Sequence, residues 1–331
     1  MQTRVLVPSG VLGLGFDPDA LARGVAANPD IIAIDGGSTD SGPFYLGTST
    51  SKYSRSVCRD EWRQLLEARA TAGVPLVIGS CGTCGTAETV DWMFAITCEL
   101  AAELGQTLRV ARLYSDVPIE TLRVARDSGR ISPLHPAQTI DDAALEAMTN
   151  IVALAGAEQI QAAIHTGADV VLAGRATDTA TIAALPLARG AHSGAAWHGA
   201  KIAECGAFCT TRPASGVVMV TFDEAGFTVT PMGEGVRCTP QSVAAHMLYE
   251  NSDPWILYEP GGHLDVTAAT YTEAAQDGVR VVGAVWVAAG DYRVKLEGAR
   301  LVGYQTMMLA VIRDPRYVEV VEHWADRLLL H

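Results

Sequence analysis

Four short segments of this chain carry residue types that can hold or transform a small polar molecule. The first is Asp35-Gly36-Gly37-Ser38-Thr39-Asp40-Ser41-Gly42-Pro43. Its glycines let the backbone approach a ligand, and adjacent N–H groups can cradle an anion. Gly36, Gly37, Ser38, Thr39 and Ser41 are therefore read as substrate-binding residues and Asp40 as an acid–base residue. A tight polar turn is the plainer reading, but loops on a rigid scaffold carry much functional chemistry.

The second segment is Gly79-Ser80-Cys81-Gly82-Thr83-Cys84-Gly85-Thr86, leading into a helix whose positive end faces the loop. Ser80, Gly82 and Gly85 join the binding set. The spacing is neither a P-loop nor a dinucleotide fingerprint, so no nicotinamide cofactor is expected. Cys81 and Cys84 have the spacing of a redox pair. Zinc would need two more ligands, and no second cysteine pair stands at a suitable distance. The lone pattern favours two small structural residues.

The third segment is Gly174-Arg175-Ala176-Thr177-Asp178-Thr179-Ala180. Arg175 offers a planar fork suited to a carboxylate or phosphate. Asp178 can cap the next helix, orient Arg175 or act as a base. The fourth, Trp197-His198-Gly199-Ala200-Lys201-Ile202-Ala203-Glu204-Cys205, puts His198, Lys201 and Cys205 on one helical face with Glu204 beside Lys201. A histidine, a lysine and a glutamate within a turn supply the groups for proton transfer. They also make an ordinary solvated face, where an ion pair is worth little. The alanine-rich company favours a partly buried site. Asp40, Asp178, His198 and Lys201 are the expected catalytic residues, and Asp35, Asp40 and Asp178 could give oxygen ligands to a magnesium-like divalent ion. His246 reads as a core histidine, and the absence of Gly-x-Ser-x-Gly weakens an α/β-hydrolase reading.

The elements that must position these segments are legible from hydrophobic pattern. Residues 5–7, 31–34, 76–78, 108–111, 151–154 and 170–172 are nearly continuous apolar runs, as strands covered on both faces must be. Helices are expected near 18–27, 51–72, 87–104, 118–128, 141–148 and 157–166, with Asp17-Pro18 as a capped start and Gly73, Gly105, Gly129 and Gly167 as stops. Such alternation implies right-handed crossovers, with the three glycine-bearing loops at the carboxyl edge of one sheet. From Pro213 the rhythm changes to a hairpin of 217–221 and 227–230, further strands at 279–287 and 292–296, and helices near 241–250 and 315–330. The expected fold is α/β: a doubly wound, mostly parallel sheet over 1–212, followed by a smaller α+β domain over 213–331 that is incomplete at its C-terminus.

The 331 residues carry a formal charge of −13, which argues against nucleic acid or an anionic membrane as partner. Seven cysteines without a disulfide rhythm, and an N-terminus that enters a strand at once, fit reduced thiols in the cytoplasm.

Taken together, the segments at 34–43, 79–92, 173–180, 197–207, 242–254 and 292–298 resemble the acyclic terpene utilisation AtuA-like family across nearly the whole chain. The resemblance implies a place among enzymes that degrade branched alcohols through acyl-CoA intermediates, where hydration or carbon–carbon cleavage would fit. It supplies no catalytic residue, and it implies a longer chain or a small partner subunit. The expectation is thus a catabolic enzyme, a lyase ahead of other classes, acting on a small anionic hydroxy acid or its acyl-CoA and assembling as a homo-oligomer. Its rivals are a non-catalytic subunit of a two-component enzyme and a CoA- or nucleotide-dependent transferase.

Overall fold

Alternate residues of each short apolar run face opposite sides of the sheet, and both sides are covered. In the computed structural model, which describes residues 2–134 and 140–329, Val5, Ile31, Val77 and Val171 pack into one core, while Leu6, Ile32, Ile78 and Leu172 pack into another. The strands are β1 (Thr3–Val7), β2 (Ile31–Asp35), β3 (Leu76–Gly79), β4 (Val110–Leu113), β5 (Asn150–Ala153) and β6 (Val170–Ala173). They are followed by β7 (Val218–Phe222), β8 (Gly226–Pro231), β9 (Ile256–Glu259), β10 (Gly262–Asp265), β11 (Thr270–Ala274), β12 (Gly278–Val282), β13 (Val285–Ala288) and β14 (Leu296–Ala299).

The central sheet has the order β11-β12-β8-β7-β1-β2-β3-β6-β4. The β1, β2, β3, β6 and β4 half is parallel. One face is covered by helices Pro18–Ala26, Arg55–Ala72 and Ala87–Glu103, which contribute Leu21, Trp62 and Met93 to their core. The other is covered by Ala157–His165, Asp178–Ala188 and Ser193–Ala203, which contribute Ile160, Ile182 and Trp197. This is the doubly wound arrangement. Asp17 accepts from the N–H groups of Asp19 and Ala20, and Gly73, Gly105, Gly129 and Gly167 take positive φ at helix ends, where a side chain would be strained.

Three features differ from the pattern read along the chain. The run at 151–154 does not enter the parallel sheet: β5 pairs antiparallel with β14, more than a hundred residues later. Apolar content alone cannot distinguish a central strand from one that packs beside the sheet. The strands after 213 divide: β7 pairs antiparallel with β1, and β8, β12 and β11 continue the central sheet from it, while β9, β10 and β13 form a separate three-stranded antiparallel sheet. The expected 51–72 helix begins at Arg55, capped by Ser54, and a short separate helix, Pro43–Thr48, precedes it.

Residues 1–300 form one compact unit and 301–331 a second. The second holds helices Pro315–Val318 and Val321–Leu329, with residue 330 of the expected final helix outside the described residues. Its Leu301, Tyr304, Met307, Leu309 and Val311 are exposed. Among the described residues, no helix is long and apolar enough to cross a membrane.

Candidate functional site

The three glycine-bearing loops meet at the carboxyl edge of the parallel strands and are bonded to one another. Gly36 N donates to Gly79 O at 2.7 Å, Thr83 N to Gly36 O at 2.9 Å, Ser80 N to Gly174 O at 2.9 Å and Arg175 N to Gly85 O at 2.9 Å. Contact this close requires glycine, for a Cβ on Gly85 would lie 2.2 Å from Arg175 N. Ser80 and Thr83 hold left-handed backbone at φ 44° and 77°. Strain of this kind persists only where the surroundings over-determine it, and it collects at functional sites.

Beneath this junction lies a group of ionisable side chains. Arg175 is 5% exposed; its Nε donates to Glu297 Oε2 at 3.0 Å and its Nη1 to Ser80 Oγ at 3.0 Å and Ala176 O at 2.9 Å. Nη1 also stands 3.6 Å from Asp178 Oδ1. Thr177, not Asp178, caps the helix Asp178–Ala188, which leaves the Asp178 carboxylate available in its first turn. Lys201 Nζ donates to Glu204 Oε1 and, at 2.9 Å, to Tyr249 O. Glu259, at the end of β9, accepts from Thr179 Oγ1. Among the described residues, Asp35 Oδ1, Glu259 Oε2 and His246 Nε2 are buried without a hydrogen-bond partner.

The electrostatics follow from crowding acids around two cations. Burial raises Glu259 to about 7, against the hydrogen bonds from Thr179 and Thr177. Burial raises Glu204 to about 8, although Lys201 opposes the shift. Asp35 is pushed up by burial and by Asp178, and Asp178 by burial, with Arg175 opposing in both. Burial would discharge Lys201, but Glu204 outweighs it and raises the ammonium's pKa. Buried carboxyls with pKa values near neutrality beside a fixed ammonium are the equipment of general acid–base chemistry.

The residues singled out in the sequence separate into three groups. Asp178, Lys201 and Arg175 meet in the cluster, with Asp40 on the exposed lip close enough to raise Asp178. Ser80 lies at its floor, fully buried and turned to Arg175 and Ala176 rather than outward. The 36–41 loop is divided: Gly37 N binds Asp35 Oδ2 at 2.8 Å, Ser38 caps Asp40 N, and Thr39 and Ser41 belong to a 3-10 turn at the lip, where Lys52 Nζ donates to Ser41 Oγ at 3.1 Å. Gly82, with φ 61°, packs on Thr89. The N-terminus of helix Ala87–Glu103 already faces protein acceptors, since Ala87 N donates to Asp116 Oδ2 at 2.7 Å and Thr89 N to Thr86 Oγ1.

His198 stands apart. It is fully buried, its ring lies edge-on to Phe227 and Tyr271, and Nε2 is 3.2 Å from Tyr271 Oη. Burial alone lowers it to about 3, so the imidazole is neutral. Cys81 and Cys84 are fully buried free thiols, and burial raises Cys81, the reverse of a reactive thiolate. Asp35, Asp40 and Asp178 do not bring three donor atoms together. Among the described residues that grouping is Glu204, Cys205 and His246, whose ligand atoms all lie within 4.8 Å of one another.

Sequence reasoning misses Glu259 and Glu297. A glutamate closing the run Ile256-Leu257-Tyr258 before Pro260-Gly261-Gly262 is a usable signal, because an acid at a strand end near a turn points to a loop-edge site. Glu297 offers none, for its meeting with Arg175 spans 122 residues.

The fold and site define an α/β protein with a buried acid–base cluster at the carboxyl edge of its parallel strands. Residues 45–329 match the family described as acyclic terpene utilisation family protein AtuA, and the chain belongs to that family. No curated protein and no solved structure matches it.

Proposed function

We propose that this chain is an acid–base lyase that removes water from, or adds it to, a branched hydroxy acid or hydroxyacyl thioester, as acyclic terpene breakdown would require. The observation that carries this reading is Glu259, held near neutrality with one carboxylate oxygen buried and unpartnered, within the field of Asp178 and Lys201. A base poised near the working pH is the efficient one. In the elimination direction, Glu259 takes the proton from the carbon next to the carbonyl. Lys201 stabilises the charge gathering on the carbonyl oxygen, as a fixed cation does without reorganising. The C–H electron pair becomes the C=C bond, the C–O bond breaks, and Asp178, held toward its protonated form by burial, gives its proton so that water leaves. Arg175 has Nε and Nη1 turned to protein acceptors, so its role here is to fix Asp178 and Glu297. The substrate's anionic end is assigned instead to Lys52 and the 38–42 lip.

Proton exchange tests this without knowing the full substrate. Branched 3-hydroxyacyl and 2-enoyl thioesters incubated with the protein in D2O should gain deuterium at the α-carbon, followed by NMR. Glu259→Gln should abolish the gain. A wild-type protein that binds these thioesters and exchanges nothing would contradict the proposal.

A second reading, a subunit that needs another chain, draws support from the exposed apolar side chains of 301–311. Activity appearing only when a neighbouring gene product is added would favour it.

A further inference from the structure

We infer that Glu204, Cys205 and His246 form a binding site for a zinc-class divalent ion beside Lys201. A Glu204 carboxylate oxygen, the Cys205 sulfur and a His246 ring nitrogen lie within 4.8 Å of one another. Ligand atoms of a tetrahedral zinc, bonded at 2.0–2.3 Å, stand about 3.3–3.8 Å apart, so side-chain adjustment of roughly 1 Å closes the site.

The elements hold the three groups in place. Glu204 and Cys205 follow directly on helix Ser193–Ala203, and His246 ends helix Pro240–Ala245. A Cβ on Gly10 would lie 2.9 Å from Cys205 Cα, so the loop after β1 backs the cysteine closely. The His246 ring stacks on Tyr249 at 5.4 Å, which fixes its plane.

A second observation, independent of the grouping, points to a missing partner. His246 is 5% exposed, and its Nε2 is buried with no hydrogen-bond partner. An unpaired buried polar atom is costly, and an imidazole with an unpartnered nitrogen is free to serve as a metal ligand. Cys205 is half-buried, which leaves a path for entry. Thiolate, imidazole and carboxylate together suit zinc rather than magnesium, and three protein ligands leave a fourth position for water or a substrate oxygen. Lys201 Nζ bonds to Glu204 Oε1 and competes with the ion for this carboxylate.

Cobalt is the probe, read by spectroscopy rather than turnover, so the result stands independently of the lyase reading. The full chain titrated with Co(II) should bind one equivalent and show a thiolate-to-cobalt charge-transfer band. Cys205→Ser should remove the band, His246→Ala should weaken binding at least tenfold, and Lys201→Met should tighten it. Circular dichroism identifies any variant that fails to fold, and the wild-type band decides the matter without variants. Absence of binding at micromolar Co(II), or binding without a thiolate band, would overturn the inference. The second outcome would place the ion on oxygen ligands instead.

Discussion

Two residues three positions apart on one helix, His198 and Lys201, are both buried, yet they inhabit opposite surroundings. Lys201 meets Glu204 and feels Asp178, and it stays charged. His198 meets Phe227 and Tyr271, and it stays neutral. A helix fixes which side chains share a face, but the neighbouring elements decide whether that face meets charge or hydrocarbon. Here β8 and β11 supply the aromatic rings around His198, while the loop after helix Pro240–Ala245 supplies the carbonyl of Tyr249 to Lys201.

The largest expected effect lies in the charged region. Arg175→Met leaves Glu297 and Asp178 without their buried cation and should destabilise the fold by about 3–5 kcal/mol, the scale for breaking a buried pair. Denaturant titration would measure it. A change under about 1 kcal/mol would mean that Arg175 is free for a ligand, as its guanidinium fork suggests in the sequence.

Next in size is Lys201→Met, which should lower turnover of whichever thioester is active by roughly 10²–10³-fold, the range for removing one oxyanion donor. Activity within a few-fold of the parent would move the oxyanion site elsewhere.

Stability should also respond to pH with a sign set by the two regions. Glu259 and Glu204 have folded pKa values of about 7 and 8, above the ordinary 4.5, so their contribution is full below pH 4.5 and is lost as pH rises through 7 and 8. His198 and His246 are lowered to about 3 and 4 from 6.5, so their contribution is full above 6.5 and is lost as pH falls toward 3. The slopes oppose each other between 4.5 and 6.5, which gives a plateau there. Toward pH 9 stability should decline by a few kcal/mol, because each tenfold change in proton affinity is worth about 1.4 kcal/mol. Glu259→Gln should flatten the alkaline side, as seen in melting temperature against pH.

The smallest effect belongs to the aromatic cage. His198→Gln should lose about 1–2 kcal/mol of stability, the common range for a core change, with turnover within a few-fold of the parent. Loss of activity in a folded His198→Gln protein would break the contrast between the two residues.

The strand runs and the loops at their ends are legible in the sequence because buried parallel strands have a strong apolar signal and glycine marks close backbone approach. Arg175, Asp178 and Lys201 are legible as polar residues in apolar company. The position of β5 is not, because its partner β14 lies far along the chain and pairing leaves no local mark. The acids that give the cluster its character escape for the same reason: Glu259 and Glu297 reach it from β9 and β14, across 80 and 122 residues from their partners Thr179 and Arg175. Periodicity alone places His198 with Lys201, and only the packing of Phe227 and Tyr271 separates them.

The central claim is that carboxyl groups in this cluster titrate near neutrality while the folded chain is intact. Carbon-13 labelling of the glutamate side-chain carboxyls, followed by NMR from pH 4 to 9 with Glu204→Gln and Glu259→Gln for assignment, measures it directly. The account predicts two apparent midpoints near 7 and 8, belonging to the coupled cluster. Midpoints for both groups below 5 would contradict it.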